Sequence, residues 1–303
     1  MKKIYKIFLI IAVALMALGM IIAGAAFVAS GFNWNAFAIT EEDFTEFSMD
    51  IEAKDIDTLV LADLDEFTAW YDISVVPSED NDIHVTYRTM DDEDLYCENQ
   101  GGTAVLRPGF TDRERNLHRY IGFFDIGSMP MTIAVPVSVK NVDLRCGAGD
   151  VDCSNLELEG DFTYTGDASR VVMDGVKIGG ALHLESDTSS VTLYDTEAKT
   201  LTADVDCGYL RCESVRAEDV DVRSDFGDFE FSGLAVEKSL RIYTDEGNVN
   251  GIIDGAEGDF TIMSSADVGT TNLPSSGGTK SGNKGYDAAV VAIEMANLMG
   301  EIR

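Results

Sequence analysis

The sequence predicts an all-β chain: a single-chain β-solenoid (β-helix) of about seven to eight ~20-residue coils, preceded by irregular β strands and an N-terminal transmembrane helix. Three observations carry this reading. Residues from 142 onward repeat with a period of 19 or 20. Within each repeat, apolar residues alternate with polar ones at strand spacing. Near the N-terminus, residues 7–30 run without a charge.

The repeats begin at Val142, Phe162, Leu182, Leu201, Val220, Leu240 and Phe260, which define slot 1. Slot 3 holds Leu144, Tyr164, Leu184, Ala203, Val222, Ile242 and Ile262, and slot 10 holds Val151, Val171, Val191, Leu210, Phe229 and Val249. Such short alternating runs are strands, because helices need longer periodic stretches. Further apolar residues fall in slots 15 and 17, so each block is one coil of two or three short strands. Coils stack about 4.8 Å apart, and one coil alone cannot bury its apolar face. Gly149, Gly208, Gly227 and Gly247 occupy slot 8, where a tight turn with positive φ is expected.

In chain order, residues 1–6 carry Lys2, Lys3 and Lys6 and form the expected cytoplasmic tail. Residues 7–30, including Ile7, Leu15 and Ile22, are long enough to span a bilayer core of about 30 Å. A cleaved signal has a shorter apolar region of about 7–15 residues, so an uncleaved anchor is expected. The protein is then single-pass in the cell membrane, with its bulk extracytoplasmic. Residues 31–50 form a juxtamembrane linker in which Trp34 and Phe37 suit lipid headgroups.

Residues 51–141 form an N-terminal β region with strands expected at 56–61, 69–76, 83–87, 103–107 and 131–137. The second and third of these suggest a hairpin-like or coil turn. Arg113, Arg115 and Arg119 lie in a long connection, 109–128, as a solvated loop or a contact for an anionic wall polymer or partner. Residues 142–303 are the solenoid. Residues 287–298 look helical by composition, yet 293–302 match 220–229 slot for slot. A last, truncated coil is therefore expected at 289–303, after a mobile loop at 275–285.

Asp and Glu number 54 against 22 Lys and Arg, a net charge of −32. Nucleic acid is excluded as a partner, since its recognition needs basic stripes. Cationic peptides are attracted instead. Five cysteines, Cys97, Cys146, Cys153, Cys207 and Cys212, show no zinc spacing and read as small ladder residues. A disulfide between Cys146 and Cys153, which flank one turn, is the other reading.

Slot 6 holds Asp167, Asp187, Asp206, Asp225 and Asp245. Stacked carboxylates repel, by about 1 kcal/mol per pair in a water-like dielectric. Either each accepts backbone N–H bonds in an Asx-type turn, or they bridge Ca²⁺, the one cofactor that these residues suggest. The three histidines, His84, His118 and His183, fall in different elements, and no catalytic motif is present. A carbohydrate-active enzyme would have only Arg170 or Arg241 beside the Asp row. The expected function is therefore non-enzymatic binding or structure at the cell envelope. An envelope-stress or signalling component that senses cationic peptides is the alternative.

The sequence resembles the bacterial "putative adhesin" family of unknown function, which includes LiaG-like envelope proteins. The likeness rests on residues 73–77 with IHVTY (83–87), on MTIAVPVSVKNVDLRCGAGDV (131–151), and on the turns Gly149-Asp150, Gly227-Asp228 and Gly247-Asn248. It implies a membrane helix, irregular strands and a β-solenoid, with an adhesin-like role toward a cell-wall polymer, peptide or envelope protein.

Overall fold

The computed structural model describes residues 2–29, 31, 45–62, 71–89, 95–108, 129–256, 261–273 and 275–277. Helix α1 (Lys2–Ala29) contains an apolar stretch, Ile11–Ala29, of mean hydropathy 2.6. It includes Ile7, and it leaves Leu15 and Ile22 63% and 61% exposed. A helix so apolar on every side needs a lipid or protein partner.

Among the described residues fifteen strands follow: β1 (Thr45–Glu52), β2 (Thr58–Leu61), β3 (Tyr71–Pro77), β4 (Asp82–Thr89), β5 (Leu95–Asn99), β6 (Thr103–Pro108), β7 (Met129–Val135), β8 (Asn141–Ala148), β9 (Val151–Ser154), β10 (Glu157–Leu158), β11 (Phe162–Asp174), β12 (Lys177–Tyr194), β13 (Glu197–Ala256), β14 (Thr261–Asn272) and β15 (Ser275–Gly277). All belong to one sheet.

From β8 onward the coils stack in parallel. Phe162 pairs with Val142 on one side and Leu182 on the other, and Leu182 with Leu201. Val171 stands between Val151 and Val191, and Val191 meets Leu210. These residues are buried, so slots 1, 3, 10 and 12 form ladders through the core. Slot 15 adds Leu156, Val176, Val215 and Leu234, all buried. Thr196 fills this slot in the third coil, and its Oγ1 donates to the Tyr194 carbonyl at 2.9 Å.

The turns bear out the expected positive φ at two slot-8 glycines, Gly149 (φ 138°) and Gly247 (155°), and show a second such position. Left-handed backbone lies at slot 14, in Asn155 (φ 53°), Gly175 (65°), Asp195 (43°), Ser214 (57°) and Gly233 (74°). Gly, Asn and Asp are the residues that tolerate this conformation best. The slot-8 glycines also serve close approach. A Cβ on Gly208 would sit 1.9 Å from the Ser189 carbonyl oxygen, and one on Gly227 2.8 Å from that of Gly208.

Slot 5 is a further inward position. It holds Cys146, Ser186, Val205, Ser224 and Thr244, all buried. Its hydroxyls are satisfied, as burial demands: Ser186 bonds Ser189, Ser224 Oγ donates to the Asp206 carbonyl at 3.2 Å, and Thr244 Oγ1 to that of Gly227 at 3.4 Å.

Two irregularities set the period. Ile178 pairs with Ala198 but Ala181 with Thr200, so Gly179 and Gly180 together oppose Lys199. This bulge absorbs the change from 20 to 19 residues. In the seventh coil Ile262, not Phe260, meets Leu240. The shift of two places Gly269 over Gly247, where a Cβ would lie 1.7 Å from the Gly247 carbonyl oxygen. The small residue thus sets the register. Residues 275–277, expected in a loop, form β15 beside Ile253 and Ala256. The expected last coil at 289–303 lies outside the described residues.

Before β8 the chain order is interleaved. β2 lies between β8 (Leu59 with Val142, Leu61 with Leu144) and β6 (Leu59 with Ala104, Leu61 with Leu106). β3 likewise lies between β9 and β7. β2 and β3 thus supply the rung against the first coil, and β6 and β7 the rung beyond it. β4 and β5 close that end antiparallel to β7 and β6, and β1 pairs with β4. β3 and β4 form no hairpin, because β7 stands between them. Phe47, Met49 and Ile51 of β1 pack on the core, with Phe47 stacked on Tyr87 at 5.9 Å.

Candidate functional site

Because slot 5 points inward, slot 6 points out. The registered pairs Gly166–Ser186, Ala168–Thr188, Ser186–Val205 and Thr188–Cys207 bracket Asp167, Asp187 and Asp206 and set them on successive rungs. Asp167, Asp187, Asp206 and Asp225 are exposed, and Asp245 is half-buried. Among the described residues, none of the five carboxylates accepts a hydrogen bond or forms an ion pair. The Asx-turn expectation therefore fails: the turn is held by backbone approach and by the slot-5 hydroxyls. Nor, among the described residues, does any group of three or more His, Cys, Asp or Glu side chains converge to hold a metal ion.

The column carries an electrostatic load. Partial loss of hydration pushes the Asp206 carboxyl above its ordinary range, and Asp225, Asp204, Asp187 and Glu185 add to the shift. A carboxyl whose folded pKa is raised destabilises the fold once ionised, and this penalty vanishes below its unfolded pKa. Asp206→Asn is therefore expected to raise the melting temperature near pH 7 and to change nothing near about pH 3. Equal melting at both pH values would contradict the load.

Elsewhere, several outward cations are neutralised along the stack. Arg170 donates to Asp150 from Nε at 2.9 Å and Nη2 at 2.6 Å, Lys177 to Glu157 at 3.0 Å, and Lys238 to Glu218. Arg145, Arg211 and Arg223 pair with acids two residues away on their own strands. Arg170 is thus engaged at slot 9 rather than at the Asp row, and Arg241 stands exposed at slot 2. His183 lies 3.7 Å from Glu185 at the surface. Arg113, Arg115, Arg119 and His118 lie outside the described residues.

Slot 7, which sequence reasoning passed over, runs beside the acidic column as Ala168, Thr188, Cys207 and Phe226. Phe226 is 55% exposed. Its only sequence signal is a large aromatic in a turn slot otherwise small or polar. Cys207 is exposed too, unlike the buried Cys146, Cys153 and Cys212, and all five cysteines are free thiols. Burial pushes the Cys146 and Cys212 thiols up to about 12, and that of Cys153 in the same direction. They behave as small core residues. At the capped end, an open groove of about 700 Å³ lies between β1 and β5, lined by Phe47, Met49, Ile51, Tyr87 and Leu95 among others.

A family profile described as Toastrack DUF4097 matches residues 66–295. Among solved structures, the chain is similar to a "putative adhesin" from Bacteroides fragilis, at 15% identity and a TM-score of 0.44, covering 76% of this chain and 97% of that one. It is similar to a "putative lipid binding protein" from Parabacteroides distasonis, at 12% identity and a TM-score of 0.39, covering 77% and 95% of the two chains. It is also similar to a "putative cell adhesion protein" from Clostridium sporogenes, at 10% identity and a TM-score of 0.35, covering 77% and 99%. The profile spans most of the repeats and the strands that cap them, so the chain belongs to the Toastrack DUF4097 family.

Proposed function

We propose that the protein is a membrane-anchored, extracytoplasmic, adhesin-like β-solenoid with a binding role at the cell envelope, and that it catalyses no reaction. Helix α1 tethers it, and Lys2, Lys3 and Lys6 favour a cytoplasmic N-terminus. The observation that carries the binding role is the acidic corner, whose carboxylates lack the cations that neutralise the other faces. Its partner is a cationic peptide or a basic segment of another envelope protein. The charge column attracts it, and Phe226 offers apolar contact.

The test is binding of a cationic amphipathic peptide to the full-length protein in detergent micelles. Affinity should fall steeply as salt shortens the screening length from about 10 Å at 0.1 M toward about 3 Å at 1 M. Replacing Asp187, Asp206 and Asp225 together by Asn should weaken it by about tenfold or more and flatten the salt dependence. Unchanged affinity in the triple variant would overturn the assignment of this corner.

A further inference from the structure

We infer that His84 is a pH-operated latch that fastens β1, the strand nearest the membrane helix, to the body of the stack. β1 starts at Thr45, while α1 ends at Ala29. Among the described strands it is bonded to one only, β4, over eight registered positions. Whatever holds β1 on β4 therefore couples the anchor side of the chain to the solenoid.

His84 lies opposite Asp50 in this register. Its Nδ1 is 2.7 Å from Asp50 Oδ1, and its Nε2 is 2.9 Å from Asp80 Oδ1 in the β3–β4 turn. Asp80 is already fixed: it accepts from the Asp82 backbone N–H at 2.8 Å and from Ser78 Oγ at 3.2 Å. Among the described residues, the Asp50 carboxylate has no partner besides His84.

An ionised carboxylate only accepts hydrogen bonds. A ring with a carboxylate oxygen against each nitrogen satisfies both only as the imidazolium. A neutral ring donates from one nitrogen and turns a lone pair toward the other carboxylate. One contact must then open, and Asp50 is the partner free to leave. The charges facing the ring are Asp50 from β1 and Asp80 from the turn. Asp82, two residues away on β4, faces the Ala53 N–H at 3.4 Å. β7 presents the uncharged Ala134, and the flanking charged pairs on this face are Asp82 opposite Glu52 on one side and Arg88 opposite Glu46 on the other.

The titration agrees with the geometry. The hydrogen bonds to Asp50 and then to Asp80 raise the His84 pKa above its ordinary value of 6.5. The Asp82 N–H, followed by His84, lowers that of Asp80. Because the folded pKa of His84 is raised, the latch is fully set below the unfolded value and is lost as pH rises through the folded one.

The test is amide hydrogen exchange on the full chain in micelles, corrected for the intrinsic pH dependence. Protection of the β1 amides is expected to fall by about two- to fivefold between pH 6 and pH 9, while β11 and β12 stay constant. His84→Asn and, separately, Asp50→Asn should show no such pH dependence, so either variant suffices if the other misfolds. By NMR the wild-type ring should titrate above about 6.5 and return toward that value in Asp50→Asn. A wild-type pKa at or below 6.5, or the same β1 pH dependence in the folded variants, would overturn the latch.

Discussion

Leu61→Asp should destabilise the whole stack, not merely its N-terminal end. Leu61 is fully buried, with Leu106 beside it on one neighbouring rung and Leu144 on the other. No cation is registered against it, so a carboxylate there must be buried unpaired or protonated. The expected loss is on the order of 3–5 kcal/mol, as for other unpaired buried charges. That is a large part of the stability of an ordinary domain, about 5–15 kcal/mol. Because this rung joins the cap to the first coil, circular dichroism should show one cooperative transition moving to lower denaturant. Two transitions, with the later coils melting as in wild type, would mean that cap and coils are independent units. Substitution of the outward neighbour, Val60→Thr, should change little.

The second large effect is expected at Gly208. A Val there brings Cβ within 1.9 Å of the Ser189 carbonyl oxygen and 3.1 Å of Val205 Cγ1. The first atom is backbone in the adjoining rung and cannot swing aside. Rungs are spaced about 4.8 Å apart by hydrogen bonds on both sides, so relief requires breaking the ladder. Gly208→Val should cost at least the upper end of the overpacking range, about 3 kcal/mol, as a lower urea midpoint at constant slope. Gly233→Ala is the contrast. Its φ of 74° strains any L side chain, but the nearest atom to the new Cβ is the flexible Asp254 carboxylate at 3.4 Å. Only the left-handed penalty of about 1–2 kcal/mol remains. Equal midpoints for wild type and Gly208→Val would refute close approach as the reason for the slot-8 glycines.

The repeat was legible because its information is periodic. Leu144, Tyr164, Leu184 and Ala203 each mark the same inward position, so four copies of one signal agree. The turn at slot 14 was not legible. Asn155, Gly175, Asp195, Ser214 and Gly233 share only a tolerance for left-handed backbone, and no single residue type fills the slot throughout. The buried seam at slot 5 was hidden for a related reason: Ser186, Ser224 and Thr244 look like surface residues until neighbouring carbonyls and hydroxyls take up their bonds. β2, β3, β4, β6 and β7 lie nearly where expected, because runs such as Ile73–Val75 and Ile83–Val85 alternate clearly, whereas β1, which begins inside the expected linker 31–50, and β5 carry no such expectation. Their order was not. Pairing between β2 and β8, more than 80 residues apart, leaves no periodic trace. The acidic column was read correctly as a column, but its turn role was not: alignment depends on register alone, whereas local bonding depends on which way the backbone N–H groups face.

The interleaved rung also dictates an order of events as the chain is made. β2 and β3 leave the ribosome early, yet their partners on both sides, β6 to β9, are encoded 45 residues or more downstream. These segments must wait, unpaired, for the rest of the sequence. Assembly should therefore start in the uniform downstream coils, where neighbours are about 20 residues apart, and run back toward the N-terminal helix, so that the part of the protein synthesised first is completed late.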